Sequence, residues 1–373
     1  MTPLRAWTEI DLSKYELNLK NIVCNLPENI ELISVVKADA YGHGLAQIVE
    51  RSLQSGIKTF AVANIQEAFE LKNVGIGWPV LILGSLLPGE EHLIPGTDFI
   101  PTISSIEEFN RLEQVCINKN INTEFHLKID TGMGRLGIWH KDCLNFISYA
   151  LKSNYLKLVG LYTHYSSASN DLDYTLLQKQ RFQNILDHID NAKLVIHADS
   201  SSSINCLPFD TNYNAVRLGL LQYGILPLNN IKKNSFLVNP ILSFYTKVGL
   251  IKSLPKGTPI SYGKSYKLKR DSKIAILTAG YADGVPLAYS SKGRVLINGE
   301  YCSIIGKITM DQTIIDVSNL ENIDIGDKVT LIGKSKDKEI SIEEYSNNTG
   351  TIPWDTLCSI TKRVQRIYIN NRI

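Results

Sequence analysis

The sequence predicts an α/β protein: an N-terminal (β/α)₈ barrel of the TIM type, followed by a C-terminal, mostly antiparallel β domain. Two observations carry this prediction. Over residues 1–235, short apolar, β-branched runs alternate with amphipathic stretches of helical length. From Phe236 onward the segments become short and β-rich, and turn residues interrupt them. We therefore expect domains at 1–235 and 236–373, and the first few residues are candidates to pair with the β domain.

Eight strand-like runs support the barrel, because parallel βαβ units repeated eight times can close on themselves. An open, doubly wound sheet is the alternative that this pattern leaves. Candidate helices such as LAQIVERSLQSG, IQEAFELKNVG, SSIEEFNRLEQVCI and DYTLLQKQRFQNILDHID lie between the runs. The runs are ELISVVK (31–37), KTFAVA (58–63), PVLILG (79–84), DFIPTI (98–103), EFHLKID (124–130), KLVGLYTH (157–164), KLVIHAD (193–199) and YNAVRLG (213–219).

The C-terminal part reads as a separate domain built from short strands, such as ILSFYTKVGLIKSL, SKIAILTAGYADG and GDKVTLIG. Helical patterns are rare there, with one exception around Ser341 to Asn347. The stretch from Pro227 to Asn239 is rich in Asn and Lys and is predicted to be a linker.

Composition narrows the class of protein. The chain has 373 residues, of which 44% are hydrophobic and 20% charged, and 39 Lys and Arg balance 37 Asp and Glu to a net charge of +2. Because positive and negative charges nearly balance, the composition predicts neither a nucleic-acid partner nor a membrane partner. The N-terminus lacks the apolar core of a signal peptide, and no uncharged apolar run reaches the ~20 residues that span a bilayer. We expect a cytoplasmic protein.

The six cysteines are scattered and form no C-x-x-C pair. We expect them to be reduced and mostly buried, without a disulfide framework or a metal site.

Polar side chains follow several of the predicted strands. Chemistry in an α/β barrel lies at the carboxyl ends of the strands, so side chains at these ends converge on one rim. Five converging positions predict an active site there. They are Lys37 after ISVV, Lys128 in FHLKID (ahead of the glycine-rich TGMGRLG that carries Arg135), His164 after GLYT, Ser200 with Ser201 after LVIHAD, and Arg217 after NAV.

Lys37 is the candidate nucleophile. A lysine after an uncharged, β-branched run is expected to be desolvated, which lowers its pKa and frees the amine as a nucleophile and base. Schiff-base chemistry needs such a lysine. The alternative is a strand-end lysine that extends its ammonium group into solvent.

The run DSSSS (199–203) offers hydroxyl groups and backbone N–H donors at a predicted helix start, which suits a phosphate group. Gly219 in RLGL adds a close backbone approach. An ordinary helix cap in a surface loop is the alternative interpretation.

These segments resemble the sequence blocks of alanine racemases. VVKADAYGHG (35–44) is similar to the cofactor-lysine block of that family, and seven further blocks follow in the family's order over nearly the whole chain. They are HLKIDTGMGRLG (126–137), GLYTHYSSA (160–168), RLGLLQYG (217–224), ISYG (260–263), GYADG (280–284), GKITMDQ (306–312) and SITKRVQRIY (359–368).

The resemblance implies a two-base mechanism with pyridoxal 5'-phosphate. Lys37 holds the cofactor as a Schiff base and serves the D-isomer, while Tyr262 serves the L-isomer from the opposite face. His164 and Arg217 resemble a relay that tunes the tyrosine. In the family this tyrosine comes from the other subunit of a homodimer, so active sites shared between subunits are expected.

Other matches concern the cofactor and the substrate. Arg217 resembles the arginine that faces the pyridine nitrogen, and a permanently protonated arginine weakens the ring as an electron sink, which favours racemisation over transamination. Arg135 resembles the residue that pairs with the cofactor phenolate and the substrate carboxylate. Lys128 matches a lysine that is often carbamylated, and an unmodified lysine in a salt bridge is the alternative.

The β domain and the phosphate site complete the expected residues. Met310, through its backbone N–H, and Tyr281 match substrate contacts, and Asp311 either orients their loop or is an ordinary turn aspartate. The positions that correspond to the family's phosphate site are Tyr41, Ser201, Gly219, Leu220 and Trp354. Two departures stand out. Trp354 replaces the usual tyrosine, which puts a phosphate contact from this position in doubt, and Ser200 replaces the usual asparagine.

The predicted function is therefore the interconversion of L-alanine and D-alanine, which supplies D-alanine for peptidoglycan. A racemase of broader specificity, acting on serine as well as alanine, stays open. Related decarboxylases lack the combination of TGMGR with SYG and TMDQ, and a non-catalytic cofactor carrier does not explain the complete β domain.

Overall fold

The computed structural model describes residues 4–75, 77–226 and 236–370. The chain divides into two compact units. The barrel unit comprises 15–40 and 45–239, and the β unit comprises 1–14, 41–44 and 240–373. The sequence analysis placed the boundary after residue 235 instead. Most of the predicted linker, residues 227–235, lies outside the described residues.

The barrel unit is a closed parallel barrel, as the sequence predicted, and not an open sheet. Within the described residues eight strands pair side by side in chain order, including the fourth with the fifth. The eighth strand pairs with the first and so closes the barrel. Closure leaves no free edge among these eight strands, and the two-residue strand Ile138–Trp139 pairs beside the end of the fifth. The barrel strands are Glu31–Val35, Thr59–Val62, Val80–Ile82, Phe99–Ile103, Thr123–Asp130, Leu156–Tyr162, Val195–Ser200 and Ala215–Leu218.

Helices connect the strands and present amphipathic faces to them, which is why apolar residues recur at helical spacing in the sequence. In Leu45–Gln54, for example, Leu45, Ile48 and Val49 are buried. After the third and eighth strands the connection contains only a 3₁₀ turn, Glu90–Leu93 and Leu220–Tyr223. The α-helices are Leu12–Asn25, Leu45–Gln54, Ile65–Asn73, Ile106–Lys119, Cys143–Ala150, Leu172–Leu186 and Ser203–Cys206.

The β unit is built around the long strand Leu242–Leu254, which pairs with Ala6–Asp11 on one side and Lys328–Ser335 on the other. Its C-terminal half turns to pair with Ser272–Leu277. Pairing in the unit is antiparallel except between Ala6–Asp11 and Gln365–Ile369. The remaining strands are Pro259–Ile260, Tyr266–Lys267, Arg294–Ile297, Glu300–Ser303, Thr313–Asp316 and Lys338–Ile340.

The β unit holds one helix more than the sequence indicated. Ile342–Thr349 corresponds to the predicted helical stretch, and Pro353–Ser359 follows it. The second helix is only seven residues long, and Pro353 stands at its first position, where a proline costs no hydrogen bond. Such a short segment shows too little periodicity to predict.

Candidate active site

Lys37 lies two residues beyond the first barrel strand, in a tight turn of unusual handedness. Ala38, Asp39, Ala40 and Tyr41 all have φ between 53° and 55°. Left-handed backbone costs roughly 1–2 kcal/mol for each such residue, so it persists only where other bonds hold it. The Glu67 carboxylate accepts the N–H of Ala38 at 2.9 Å, and the Asp39 carboxylate accepts the N–H of Leu45 at 2.7 Å. The turn fixes the backbone that carries Lys37.

Arg217, at the end of the eighth strand, is almost fully buried. Both of its terminal nitrogens donate hydrogen bonds to polar groups of the barrel. Nη1 donates to Nδ1 of His197 at 2.6 Å and to the His197 carbonyl at 3.1 Å. Nη2 donates to the carbonyls of Thr163 and Ala198 and, at 3.2 Å, to Nδ1 of His164. Within the described residues Nε makes no hydrogen bond, so it is the one donor of this guanidinium left for a ligand.

A guanidinium only donates, so these bonds fix the tautomers of two histidines. Nδ1 of His197 accepts, which leaves its Nε2–H to donate to Nδ1 of His126 at 2.9 Å. Nδ1 of His164 likewise accepts, so the proton of neutral His164 sits on Nε2. A chain of hydrogen bonds therefore runs from His126 through His197 and Arg217 to His164.

Burial and nearby cations keep these histidines neutral. Burial, and then the charge of Arg217, lowers the pKa of His126 to about 3, and the same two causes hold the pKa of His197 and of His164 well below the usual range. Four cationic side chains act on His164, in decreasing order: Arg217, Lys128, Arg135 and Lys37. Four of the predicted rim residues, Lys37, Lys128, Arg135 and Arg217, thus act electrostatically on the imidazole of a fifth, His164.

Lys128 is buried over the face of Tyr162, with Nζ 4.3 Å from the ring centroid. Burial, and then the charges of Arg217 and Arg135, holds the pKa of its amine well below the usual range. In the described part of the chain Lys128 forms no ion pair. A methyl group at Gly137 would lie 2.9 Å from Cγ of Lys128, so the glycine in TGMGRLG is needed for this close packing.

Arg135 is exposed in a loop that one carboxylate organises. Asp130 Oδ1 accepts the N–H groups of Gly132, Met133 and Gly134 at 2.9 to 3.1 Å. The last residue of the fifth strand therefore shapes the loop that follows it, and Arg135 extends from that loop.

Donors suited to a phosphate lie after the seventh and eighth strands. Ser201 Oγ accepts the N–H groups of Gly219 and Leu221 at 3.1 and 3.2 Å, and it keeps its own proton to donate. The N–H of Leu220, at the start of a 3₁₀ turn, makes no hydrogen bond among the described residues. Ser200 has a different role, because its N–H donates to Ser203 Oγ at 2.7 Å.

In the β unit, Tyr262 stands at the tip of a short hairpin. Pro259–Ile260 pairs with Tyr266–Lys267, and a buried cluster of Ile260, Leu268, Ile274 and Ile305 supports the hairpin base. The Ser261 hydroxyl donates to the Lys307 carbonyl at 2.6 Å. Tyr262 itself is 73% exposed. The hairpin is firmly held, yet its phenol extends away from the rest of its own unit.

Two loops of the β unit carry Tyr281 and Met310 side by side. The N–H of Tyr281 donates to the Thr309 carbonyl and the N–H of Ala282 to the Met310 carbonyl, each at 3.0 Å. A methyl group at Gly280 would overlap both carbonyl oxygens, so only glycine allows this approach. The N–H of Met310 donates no hydrogen bond in the part of the chain that the structure describes, and Asp311 accepts from Arg363 at 2.6 Å.

The last two predicted positions also lie in the β unit. Tyr41 is buried, and the carbonyl of the next residue, Gly42, accepts from Nε of Arg366 at 3.2 Å. Trp354 is half-buried in the helix Pro353–Ser359.

Three functional candidates escaped the sequence analysis: His126, His197 and Arg363. The two histidines carried a signal, because His126 shares a strand face with Lys128, and a histidine inside an apolar strand is unusual. Arg363 carried no signal, since its partners Asp283 and Asp311 are distant in sequence.

The described residues hold neither a metal-binding cluster nor a membrane-spanning helix. No group of three or more His, Cys, Asp or Glu side chains is arranged to hold a metal ion, and no helix is long and apolar enough to cross a membrane. No two of the six cysteines are joined in a disulfide, and four of them are buried.

The barrel unit thus combines an amine beyond the first strand, a guanidinium with one available donor, and hydroxyl and N–H donors for a phosphate. These features fit pyridoxal phosphate, which needs a lysine, a partner for its ring nitrogen and a phosphate site. They are the features expected of a (β/α)₈ barrel that would hold this cofactor.

Comparison with known proteins identifies the family. The family models "Alanine racemase, N-terminal domain" and "Alanine racemase, C-terminal domain" match residues 10–227 and 241–368. The alanine racemase of Halothermothrix orenii is 36% identical over 98% of this chain and 97% of its own length. The chain belongs to the alanine racemase family, whose members use pyridoxal phosphate.

Solved structures agree with this assignment. The alanine racemase of Clostridium difficile 630 superposes with a TM-score of 0.93 at 31% identity, covering 100% of this chain and 97% of that one. The alanine racemase of Bartonella henselae, described with covalently bound pyridoxal phosphate, superposes with a TM-score of 0.90 at 29% identity, covering 98% and 100%.

Proposed function

We propose that the protein is an alanine racemase that interconverts L-alanine and D-alanine with pyridoxal 5'-phosphate. The observation that carries the proposal is the environment of Arg217. Its terminal nitrogens are bound to the barrel and to two neutral histidines, so its remaining donor, Nε–H, is available to the ring nitrogen of the cofactor. An arginine leaves that nitrogen unprotonated, which favours return of the substrate proton over transamination.

The residues that would hold the cofactor are Lys37 for its aldehyde carbon, Arg217 for its ring nitrogen, and Ser201, Gly219, Leu220 and Tyr41 for its phosphate. Gly219 contributes indirectly, since its N–H is bound to Ser201. When bound, pyridoxal phosphate supplies an electron sink that makes the Cα–H of an amino acid acidic. Trp354 offers only an indole N–H, so its contribution to the phosphate is the weakest of the set.

Two groups on opposite faces of Cα move the proton. The Lys37 amine takes it from D-alanine when neutral or returns it when protonated, and the Tyr262 oxygen does the same for L-alanine, deprotonated when it accepts and protonated when it donates. One face loses a proton and the other gains one, so the net reaction inverts the centre. His164 assists Tyr262, because its neutral imidazole carries a proton on Nε2 and can donate to the tyrosine oxygen as that oxygen loses its proton.

The substrate carboxylate meets Arg135 and the N–H of Met310, with Tyr281 beside it. The low pKa of Lys128 supports carbamylation, because only a neutral amine attacks carbon dioxide. In that step an N–C bond forms and one proton leaves, and the resulting anion offsets the charge of Arg135. Electron density at Lys128 is the test, since so labile a group is easily lost in mass measurements.

The active site is shared between the subunits of a homodimer, with Tyr262, Tyr281 and Met310 contributed by the partner. Their exposure within their own unit supports this arrangement. The enzyme acts in the cytoplasm and supplies D-alanine for peptidoglycan.

Turnover of L-alanine and L-serine, measured side by side by formation of the D-isomer, tests the proposed substrate. We expect alanine to be preferred. Trp354 supports the alternative of a racemase with a broader substrate range. It replaces a tyrosine of the family and so alters the shape of the site. Equal turnover of serine would establish that alternative, and a Trp354→Tyr variant that restored the alanine preference would assign it to this residue. Cofactor binding without turnover of either substrate would contradict a racemase.

A further inference from the structure

Arg363 lies in SITKRVQRIY (359–368), a block to which the proposed mechanism assigns no task. Its guanidinium joins two carboxylates of the β unit: Nε lies 3.1 Å from Oδ1 of Asp283, and Nη2 lies 2.6 Å from Oδ1 of Asp311. The side chain of Asp283 is buried, with 5% exposed, whereas that of Asp311 is half exposed. Arg363 therefore bridges a buried anion and a surface anion on two different loops.

Each carboxylate belongs to one of the two loops that carry the proposed substrate contacts. Asp283 Oδ2 accepts the N–H of Gly280 at 2.9 Å and so closes the turn that presents Tyr281. Asp311 directly follows Met310. The same C-terminal segment makes a second attachment, because the Thr361 hydroxyl donates to the Ala282 carbonyl at 2.7 Å.

Among the residues that the structure describes, the hydrogen bonds between the two loops join backbone groups, from the N–H of Tyr281 to the Thr309 carbonyl and from the N–H of Ala282 to the Met310 carbonyl. Gly280 brings the backbones so close that a change in their spacing would break both bonds together. Charge-assisted bonds from one planar guanidinium are well suited to fix such a spacing, because their geometry is rigid.

We infer that Arg363 is a positioning residue for substrate recognition: it clamps the loops 280–284 and 309–312 so that the N–H of Met310 and the side chain of Tyr281 face the substrate carboxylate. The inference rests on the proposed function for the identity of that carboxylate. The clamp itself is a property of the β unit and has a readout that needs no turnover.

The test compares Arg363→Met with Arg363→Lys and with a matched control, Arg294→Met. Arg294 makes an ion pair with Glu344 in the same unit, at 2.7 Å, and is 42% exposed against 46% for Arg363. The control therefore removes an equally exposed ion pair away from the two loops. Kinetics are measured on the holoenzyme with L-alanine and D-alanine, and amide hydrogen exchange is measured at 280–284 and 309–312.

We expect Arg363→Met to raise KM about tenfold in both directions with little change in kcat, because a slightly misplaced binding group weakens substrate capture. Exchange should accelerate in both loops. Arg363→Lys should recover part of KM, and Arg294→Met should match the wild type in both loops.

Unchanged exchange in Arg363→Met overturns the clamp. Faster exchange with unchanged KM overturns its role in substrate recognition, and an equal rise of KM in Arg294→Met shows that the effect is not specific. If the wild type does not racemise alanine, the proposed function fails, and the exchange data alone decide the clamp.

Discussion

The barrel unit and the β unit hold their proposed active-site residues in opposite ways. In the barrel, Arg217 and Lys128 are 5% and 6% exposed, and their positions follow from side-chain bonds and ring contacts inside the barrel. In the β unit, Tyr262 and Met310 are 73% and 53% exposed, and their positions follow from the backbone of rigid turns. The barrel unit fixes its active-site side chains by burial, whereas the β unit exposes them to solvent.

This contrast between buried and exposed side chains predicts which variants should affect folding and which should affect only catalysis. Removing a buried, multiply bonded side chain leaves unpaired polar atoms behind, which destabilises the fold. Removing an exposed hydroxyl leaves nothing unpaired.

Lys37→Ala should abolish activity in both directions, by at least about 10⁴-fold, because one side chain both holds the cofactor and moves a proton. Turnover of each isomer and the visible absorbance of the bound cofactor measure the effect. Lys157→Ala, which removes an exposed lysine of the same unit, is the control. Retained turnover in Lys37→Ala would remove the lysine from the mechanism.

Tyr262→Phe should lower proton removal from L-alanine by about 10²- to 10³-fold and affect D-alanine far less. Solvent deuterium incorporation at Cα, measured separately from each isomer, is the readout. The free energy of unfolding should change by less than about 0.5 kcal/mol, because the hydroxyl is exposed. Equal exchange losses from both isomers would be incompatible with the assignment of faces.

Arg217→Met should lower the free energy of unfolding by about 3 kcal/mol or more, because several buried acceptors lose their donor. Urea denaturation of the apoprotein measures this loss. Arg294→Met, which breaks an exposed ion pair, should cost no more than about 1 kcal/mol. If the two variants lost similar free energies of unfolding, the proposed difference between buried and exposed positions would be wrong.

Acid should destabilise the protein through its buried histidines. As pH falls below about 6.5, the unfolded chain binds a proton at each histidine, whereas His126, with its pKa lowered to about 3, stays neutral in the folded state. Stability is therefore full above pH 6.5 and is lost as pH falls towards 3, by up to about 1.4 kcal/mol per pH unit for this histidine. His126→Gln should flatten the pH dependence of unfolding measured in urea, and an unchanged slope would refute this origin.

The barrel was predictable because its eight strands lie in short apolar, β-branched runs and the intervening helices are clearly amphipathic. The same logic placed Lys37, Lys128, His164 and Arg217 at strand ends, where parallel strands must converge. The hydrogen bonds of Arg217 with the carbonyls of Thr163 and Ala198 were not predictable, because main-chain acceptors leave no trace in a sequence. The left-handed turn after Lys37 was also hidden, since Ala38 and Ala40 are not residues that favour positive φ.

The β unit gave weaker signals. Its short strands predicted the class of domain, but the helix Pro353–Ser359 and the bridge made by Arg363 depend on contacts between distant segments. The sequence also did not predict that Tyr262 is exposed, because a tyrosine in a glycine-containing turn fits a buried or an exposed position.

We propose that a complete site needs Lys37 from one subunit and Tyr262 from another. The decisive experiment mixes the inactive Lys37→Ala and Tyr262→Phe proteins and measures activity after dissociation and reassociation. A shared site predicts that each mixed dimer gains one site with both wild-type residues, so about a quarter of wild-type activity returns on random pairing. No recovery, with mixed dimers shown to have formed, would contradict the claim.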